Sequence, residues 1–200
     1  MFPFLTVFII FLLVVYFYRA HNTKKREERV AAFWAREEEA KHTPAKDLST
    51  VEYIKVPTDR FPIGALDDDD LMLIEEELIE LADKPLLNLN GMTNTDIKIA
   101  YGTANFDAIS AMGDDFDRLI VLLCDYAKGL IENGMEPEAI EVLEYGRQIG
   151  SDVSENYTLL GECYRSQNME EAYASLVQFV EASDLPLKQS ILEGLGNSAV

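Results

Sequence analysis

Histidine, cysteine and basic side chains are all scarce in this chain. Its 200 residues hold two His, two Cys and 17 Lys+Arg against 36 Asp+Glu, a formal net charge of −19 at pH 7. That charge argues against binding nucleic acid through a basic footprint, because a polyphosphate would meet a repulsive field. Two cysteines are too few for a disulfide scaffold or a four-cysteine zinc site, and Cys124 and Cys163 form no Cys-x-x-Cys pair. His21 and His42 both precede Asp47, which leaves no histidine further along for a triad or a metal centre. Also missing are a Gly-x-x-x-x-Gly-Lys-Ser/Thr phosphate loop, a Gly-x-Ser-x-Gly elbow and a His-Glu-x-x-His helix. The expectation is a non-enzyme with no catalytic residue, no metal ligand, no cofactor and no small-molecule substrate.

Charge is also missing from the N-terminus, where no charged side chain precedes Arg19 and the α-amino group is the one positive charge. Residues 1–18 are almost wholly apolar, and at about 1.5 Å per helical residue they would cover roughly 27 Å, close to the hydrocarbon thickness of a bilayer. Pro3 suits the first turn of a helix, and Tyr16, Phe17 and Tyr18 resemble an interfacial aromatic belt. A cleaved signal peptide would carry its positive charges before the apolar core and a small-x-small cleavage site after it. Here Arg19, Lys24, Lys25, Arg26 and Arg29 follow the core, and Tyr18-Arg19-Ala20-His21 is a poor cleavage site. The segment therefore reads as a single-pass anchor in the cell membrane. By the positive-inside rule its N-terminus lies outside and the rest of the chain is cytoplasmic, which would keep both cysteines as reduced, half-buried thiols.

Beyond the anchor, charge is strongly partitioned. Residues 19–46 hold eight Lys and Arg against five Glu, whereas residues 47–200 hold nine against 31 acidic side chains. The basic arm reads as a helix from Thr23 to about Lys41, ended by Pro44, with Phe33-Trp34 expected to dock on the body or on the bilayer surface. Residues 47–66 change character: Val51 to Val56 is rich in β-branched and aromatic side chains, and Pro57 and Pro62 exclude a helix. An extended strap is expected there, with one short strand and with Tyr53, Ile54, Val56 and Phe61 as its contacts. Four consecutive carboxylates, Asp67 to Asp70, could suggest Ca²⁺ or Mg²⁺. They lack a calcium loop's ligand spacing, and the apolar-periodic run of Leu71, Leu73, Ile74, Leu78 and Leu81 comes at once, so a helix start is expected instead. Across residues 67–113 the pattern predicts that helix, ending near Asp83, then a bridging loop over 86–91. A further helix from Asp96 to about Ala111 is expected after N-cap candidates at Thr93 to Asp96, with Gly102 inside it and Gly113 ending it.

From Asp114 to Val200 the chain reads as short amphipathic helices: Asp117–Glu132, Pro137–Gln148, Ser154–Arg165, Glu170–Ala182 and a last one after Pro186. Leu123, Tyr126, Ala127 and Leu130 align with Tyr157, Leu160, Gly161 and Tyr164 at a constant spacing of 34 residues. Ala139 and Leu143 come next in the first pair, Ala172 and Leu176 in the second. The small residues stand where paired helices would cross. On these residues the segment resembles the tetratricopeptide repeat (TPR) family, with repeats at about 120–153 and 154–186 and a C-terminal capping helix. The resemblance implies that Leu123, Ala127, Leu130, Ala139, Leu143, Tyr157, Gly161, Tyr164, Ala172 and Leu176 pack the repeats. Phe33-Trp34, Tyr53 to Pro57, Leu81-Ala82-Asp83, Asn94 to Lys98 and Tyr101 to Asn105 further resemble an uncharacterised family of bacterial single-pass membrane proteins. That likeness implies the same layout and says nothing of function.

The expected fold class is thus mainly α: an N-terminal transmembrane helix, then an α-helical TPR-like hairpin stack with an extended strap segment. The TPR resemblance further implies a groove for extended peptides or partner helices, lined by Val121, Cys124, Lys128, Ile131, Glu155, Thr158, Glu162 and Arg165. The basic residues that clamp a peptide carboxylate in that family are replaced here by Cys124, Glu155, Thr158 and Glu162. A partner with Lys or Arg beside apolar anchors suits such a groove better, although the same residues could equally be the plain outer side of a capped bundle. The functional expectation is a membrane-anchored cytoplasmic adaptor that contacts the bilayer through residues 1–18 and binds a protein partner. A structural subunit of a larger membrane complex is the alternative, and an acidic-site metal binder or enzyme a remote one.

Overall fold

The computed structural model describes residues 2–197. Met1 and residues 198–200, the outer ends of the expected membrane span and of the C-terminal segment, lie outside the described residues. Eight α-helices and two single 3₁₀ turns make up the regular structure, with no strand among the described residues. The helices are α1 Phe2–His42, α2 Asp69–Ala82, α3 Asn94–Tyr101, α4 Phe106–Glu132, α5 Glu136–Gln148, α6 Ser154–Ser166, α7 Glu170–Ala182 and α8 Lys188–Asn197. Contacts divide the chain into two compact units: the chain up to Leu48 with Met92–Phe106, and Ser49–Gly91 with the chain from Asp107 onward.

In the first unit, the expected membrane helix and charged arm are one unbroken helix, α1. Nothing between Pro3 and Pro44 interrupts it, and Gly is absent from the whole stretch, so helix propensity carries straight through. It contains one segment long and apolar enough to cross a membrane, with a mean hydropathy of 1.9 and none of it buried within the protein. Residues 21–36 are exposed on every face. Only the last two turns are packed, against α3 and the 3₁₀ turn Thr103–Asn105 after it: Arg36 pairs with Asp96, Thr95 donates to Glu37, and Thr103 Oγ1 donates to the Ala40 carbonyl at 2.6 Å. Phe33 and Trp34, expected to dock, remain exposed, with their rings edge to face. At eight residues, α3 is about 12 Å long and ends before it can cover them.

Thr93 and Asp96 form a reciprocal capping box at the start of α3. Its hydrogen bonds hold the Asp96 carboxyl below the usual range, with Arg36 adding to the effect. The expected single helix over 96–111 does not exist. Gly102 ends α3 with φ 87° and ψ 145°, a conformation open only to glycine. Its missing side chain admits the backbone of Pro44 and Ala45. Lys46 N–H then donates to the Tyr101 carbonyl at 3.0 Å, and Asn105 Nδ2 to the Lys46 carbonyl at 2.8 Å.

The second unit holds the main core. Gly113, expected to end a helix, lies inside α4 and is buried because Leu89 packs where a Cβ would stand. The helix expected to begin at Asp117 therefore begins about three turns earlier, at Phe106. Leu71, Leu78 and Leu81 of α2 join Leu119, Leu123, Tyr126 and Leu130 of α4 in the core, as the apolar period requires. At the start of α2 the carboxylates behave as a cap: Asp68 Oδ1 accepts from the N–H groups of Asp70 and Leu71 at 3.0 and 3.1 Å. Residues 51–56 form no strand. A single antiparallel bridge joins Ile54 to Leu86, because one short segment finds no second partner for a ladder. Ile54 and Val56 pack on the core, Phe61 is buried with its ring edge-on to Tyr145, and Tyr53 is half-buried.

Helix α6 lies against α5, α7 and α8. Of the ten residues expected to pack the repeats, eight are buried in the common core, Gly161 is buried on α6, and Ala172 is half-buried against the core. Gly161 lets the Leu195 side chain of α8 close onto α6. Asn156 ties α5 to α6: its Nδ2 donates to the Leu143 carbonyl at 3.0 Å, while its Oδ1 faces Gly146 without a hydrogen-bond partner. A glycine opposite is what leaves room for that amide.

Candidate functional site

The eight residues expected to line a groove sit on α4 and α6, and the structure treats them unequally. Lys128 and Glu155 meet across the two helices, Nζ to Oε2 at 2.8 Å, with Asp125 a further 3.1 Å partner of the same amine. These carboxylates raise the pKa of Lys128, the hydrogen bond to Glu155 first. Val121 is 41% exposed, and Glu155 and Glu162 are exposed beside half-buried Thr158. Ile131 leans into the core. Arg165 points elsewhere, its guanidinium 5.7 Å from the centre of the Tyr173 ring on α7 and its Nη1 buried without a hydrogen-bond partner.

Cys124 corrects the expectation. It is 1% exposed and lines no surface, because its turn of α4 faces inward beside Leu123 and Leu122. Cys163 is likewise buried rather than half-buried. Burial is the main cause that pushes the Cys124 thiol up to about 12 and the Cys163 thiol up to about 11, with Glu155 and Glu136 the leading charges that add to it. Neither is a nucleophile at neutral pH, since the thiolate is the reactive form. In the folded chain at pH 8, alkylation by iodoacetamide should be about 100-fold slower, or more, than in denaturant, as followed by mass spectrometry. A folded pKa above the unfolded one means that the thiols favour the fold below their ordinary pKa of 9.0. That contribution is lost as pH climbs through about 11 to 12.

A second face emerges on α2, where the sequence predicts no site. Met72, Leu73 and Ile79 are 44, 66 and 45% exposed. Together with Ile63 and Leu66 of the preceding loop, Met72 and Ile79 line a surface groove of about 460 Å³. Glu75 fixes the floor: buried, it accepts from the Tyr126 hydroxyl at 3.0 Å with Oε1 and from the Gly64 N–H at 2.9 Å with Oε2. That bridge secures the loop to α4 and, with burial, keeps the Tyr126 phenol well above its ordinary pKa. Next to it, Arg118 grips Glu77 with two hydrogen bonds of 2.5 and 2.6 Å and lowers the Glu77 pKa. A signal for this face is present in the sequence, because Met72 and Ile79 are apolar residues in excess of the expected period of α2, whereas Leu73, expected within that period, is exposed instead. Nothing in the period says that they stay uncovered.

No group of three or more His, Cys, Asp or Glu suited to holding a metal ion occurs among the described residues. Compared with known proteins, the chain matches no family model, no curated protein and no solved structure.

Proposed function

We propose that the protein is a single-pass membrane-anchored adaptor whose helical body binds a protein partner on the cytoplasmic side. The observation that carries this reading is α1, an uncharged, exposed apolar stretch that passes without a break into a charged helix. An apolar helix with none of its span buried has no way to shed that surface in water, whereas a bilayer covers it. The basic residues from Arg19 to Arg29 favour the orientation with the body inside. If α1 crosses the bilayer, Trp34 stands about 24 Å of helix beyond Tyr18. The charged part of α1 is then a stalk, which keeps Phe33 and Trp34 away from the lipid.

Support for a binding role comes from the body. Its core takes up the residues spaced by 34, α6 packs against α5, α7 and α8, and Ile54, Val56 and Phe61 of the segment 47–66 add to that core. This arrangement suits a TPR-like stack, which presents long helix faces and no enclosed reaction chamber. Tethering would raise the effective concentration of whatever such a face binds. In-cell photocrosslinking from Val121 or Glu162 of the full-length chain should trap one recurrent protein partner, identified by mass spectrometry. Failure to trap any recurrent protein, combined with turnover of a small molecule by the purified chain, would overturn the adaptor reading.

A further inference from the structure

We infer that the groove on α2 is a docking site for a basic amphipathic helix of a partner protein. The inference rests on the adaptor reading and names a surface that differs from the α4–α6 face.

Three observations define the occupant. The first is apolar anchor sites at helical spacing: Met72 and Ile79 are seven residues apart, two turns or about 10.5 Å along α2, and both line the groove with Ile63 and Leu66. A facing helix reaches two such points with side chains at i and i+7, filling between them at i+3 or i+4. The methionine thioether can adapt to more than one side chain there.

The second is that the polar floor is already satisfied. Glu75 gives its two oxygens to Tyr126 and Gly64, so it offers a small ligand no free, oriented group. Pockets selective for small molecules depend on a few such polar groups converging on the ligand. What remains open here is aliphatic surface, which suits the apolar stripe of a helix.

The third is the sign of the rim. Asp67 and Glu76 line the groove, whose lining holds no Lys or Arg, while Glu77 and Glu80 of α2 are already paired with Arg118 and Lys84. An acidic rim around apolar anchor sites selects Lys and Arg on the partner and opposes an acidic helix. The same rim opposes an anionic membrane surface, which attracts basic segments, so lipid is not the occupant of this face.

The test uses the full-length chain in zwitterionic nanodiscs, with empty nanodiscs as the blank. The probes are two fluorescent synthetic helices with leucines at i, i+3, i+4 and i+7. One carries lysine at the flanking positions and its twin carries glutamate there. The lysine helix should bind at least about tenfold more tightly than the glutamate helix, and its affinity should fall as salt rises. Met72→Lys with Ile79→Lys, both at exposed positions, should weaken it by about tenfold or more. Asp67→Lys with Glu76→Lys leaves the apolar anchor sites in place and should reverse the preference toward the glutamate helix.

Equal binding of both helices, no binding of either, or binding indifferent to the Met72 and Ile79 changes would overturn the inference. Val121→Lys separates it from the broader reading. Loss of binding in that variant, with the α2 variants unaffected, would sink the α2 site while leaving an adaptor that uses the α4–α6 face.

Discussion

Gly102→Ala should destabilise the first unit by about 2–4 kcal/mol, the sum of a strained backbone and an overpacked contact. At φ 87° and ψ 145° the residue occupies a region essentially closed to any side chain. A Cβ there would also stand 2.6 Å from Ala45 Cα and closer still to the Pro44 carbonyl oxygen, and these are backbone atoms that no rotamer change can move aside. Relief would require breaking the Lys46–Tyr101 and Asn105–Lys46 hydrogen bonds that hold residues 44–46 beside the end of α3. Hydrogen exchange on the full-length chain should show the α3 amides opening far more readily. Gly134→Ala is the comparison, since Gly134 also has a positive φ, 75°, but no atom within 4 Å of its would-be Cβ. It should cost only about 1–2 kcal/mol. Equal effects of the two changes would mean that the close approach at Pro44 and Ala45 contributes nothing.

Ile10→Arg combined with Leu13→Arg should displace the chain from membranes. Both positions lie in the middle of the uncharged stretch, and both are exposed on α1. An arginine near the centre of a spanning helix costs about 2.5–3.5 kcal/mol on insertion scales, so the pair should cost about 5–7 kcal/mol. The unaltered chain should stay in the membrane pellet through alkaline carbonate extraction, and the double variant should be released or aggregate. The body is not expected to unfold, because neither residue contributes to its core. Extraction of the unaltered chain by carbonate would instead indicate a helix attached to a membrane surface or covered by another protein, and the anchor reading would fall.

Local signals serve well where the chemistry is local. The capping pair Thr93 and Asp96, the carboxylates opening α2 and Pro137 in the first turn of α5 each mark a helix end through neighbouring residues alone. The same holds for the core face of α2, since Leu71, Leu78 and Leu81 recur at helical spacing whatever packs on them. Glycine is the weak point, because its two uses look alike in sequence. Gly102 and Gly113 each sit in a plausible helix. One ends its helix so that Pro44 and Ala45 can approach, and the other stays helical because Leu89 needs the room. The segments that decide between these roles are distant in sequence from both glycines.

Buried polar groups obey the same rule. Glu75 sits within an acidic run, Glu75-Glu76-Glu77, where each carboxylate reads as a solvated face. In the structure the three diverge: Glu75 is buried under the Tyr126 hydroxyl and the Gly64 amide, Glu76 lines the groove, and Glu77 is held by Arg118. Cys124 reads as lining a face and is core, because the width of an apolar helical stripe depends on how many neighbours press on it. Its heptad spacing to Ile131 cannot reveal that α4 is covered on that side as well.

By itself the sequence determined the helical class, most helix ends, the long uncharged segment before Arg19 and the contrast between a basic arm and an acidic body. These depend on side-chain chemistry and on periods of a few residues, which the chain carries wherever it folds. Tertiary structure alone decided that only the last two turns of α1 are packed. It also decided which glycine ends a helix, which glutamate is buried and which apolar residues of α2 are left uncovered. Each of those outcomes depends on a partner distant in sequence approaching within a few ångströms or failing to, and no local pattern encodes that distance.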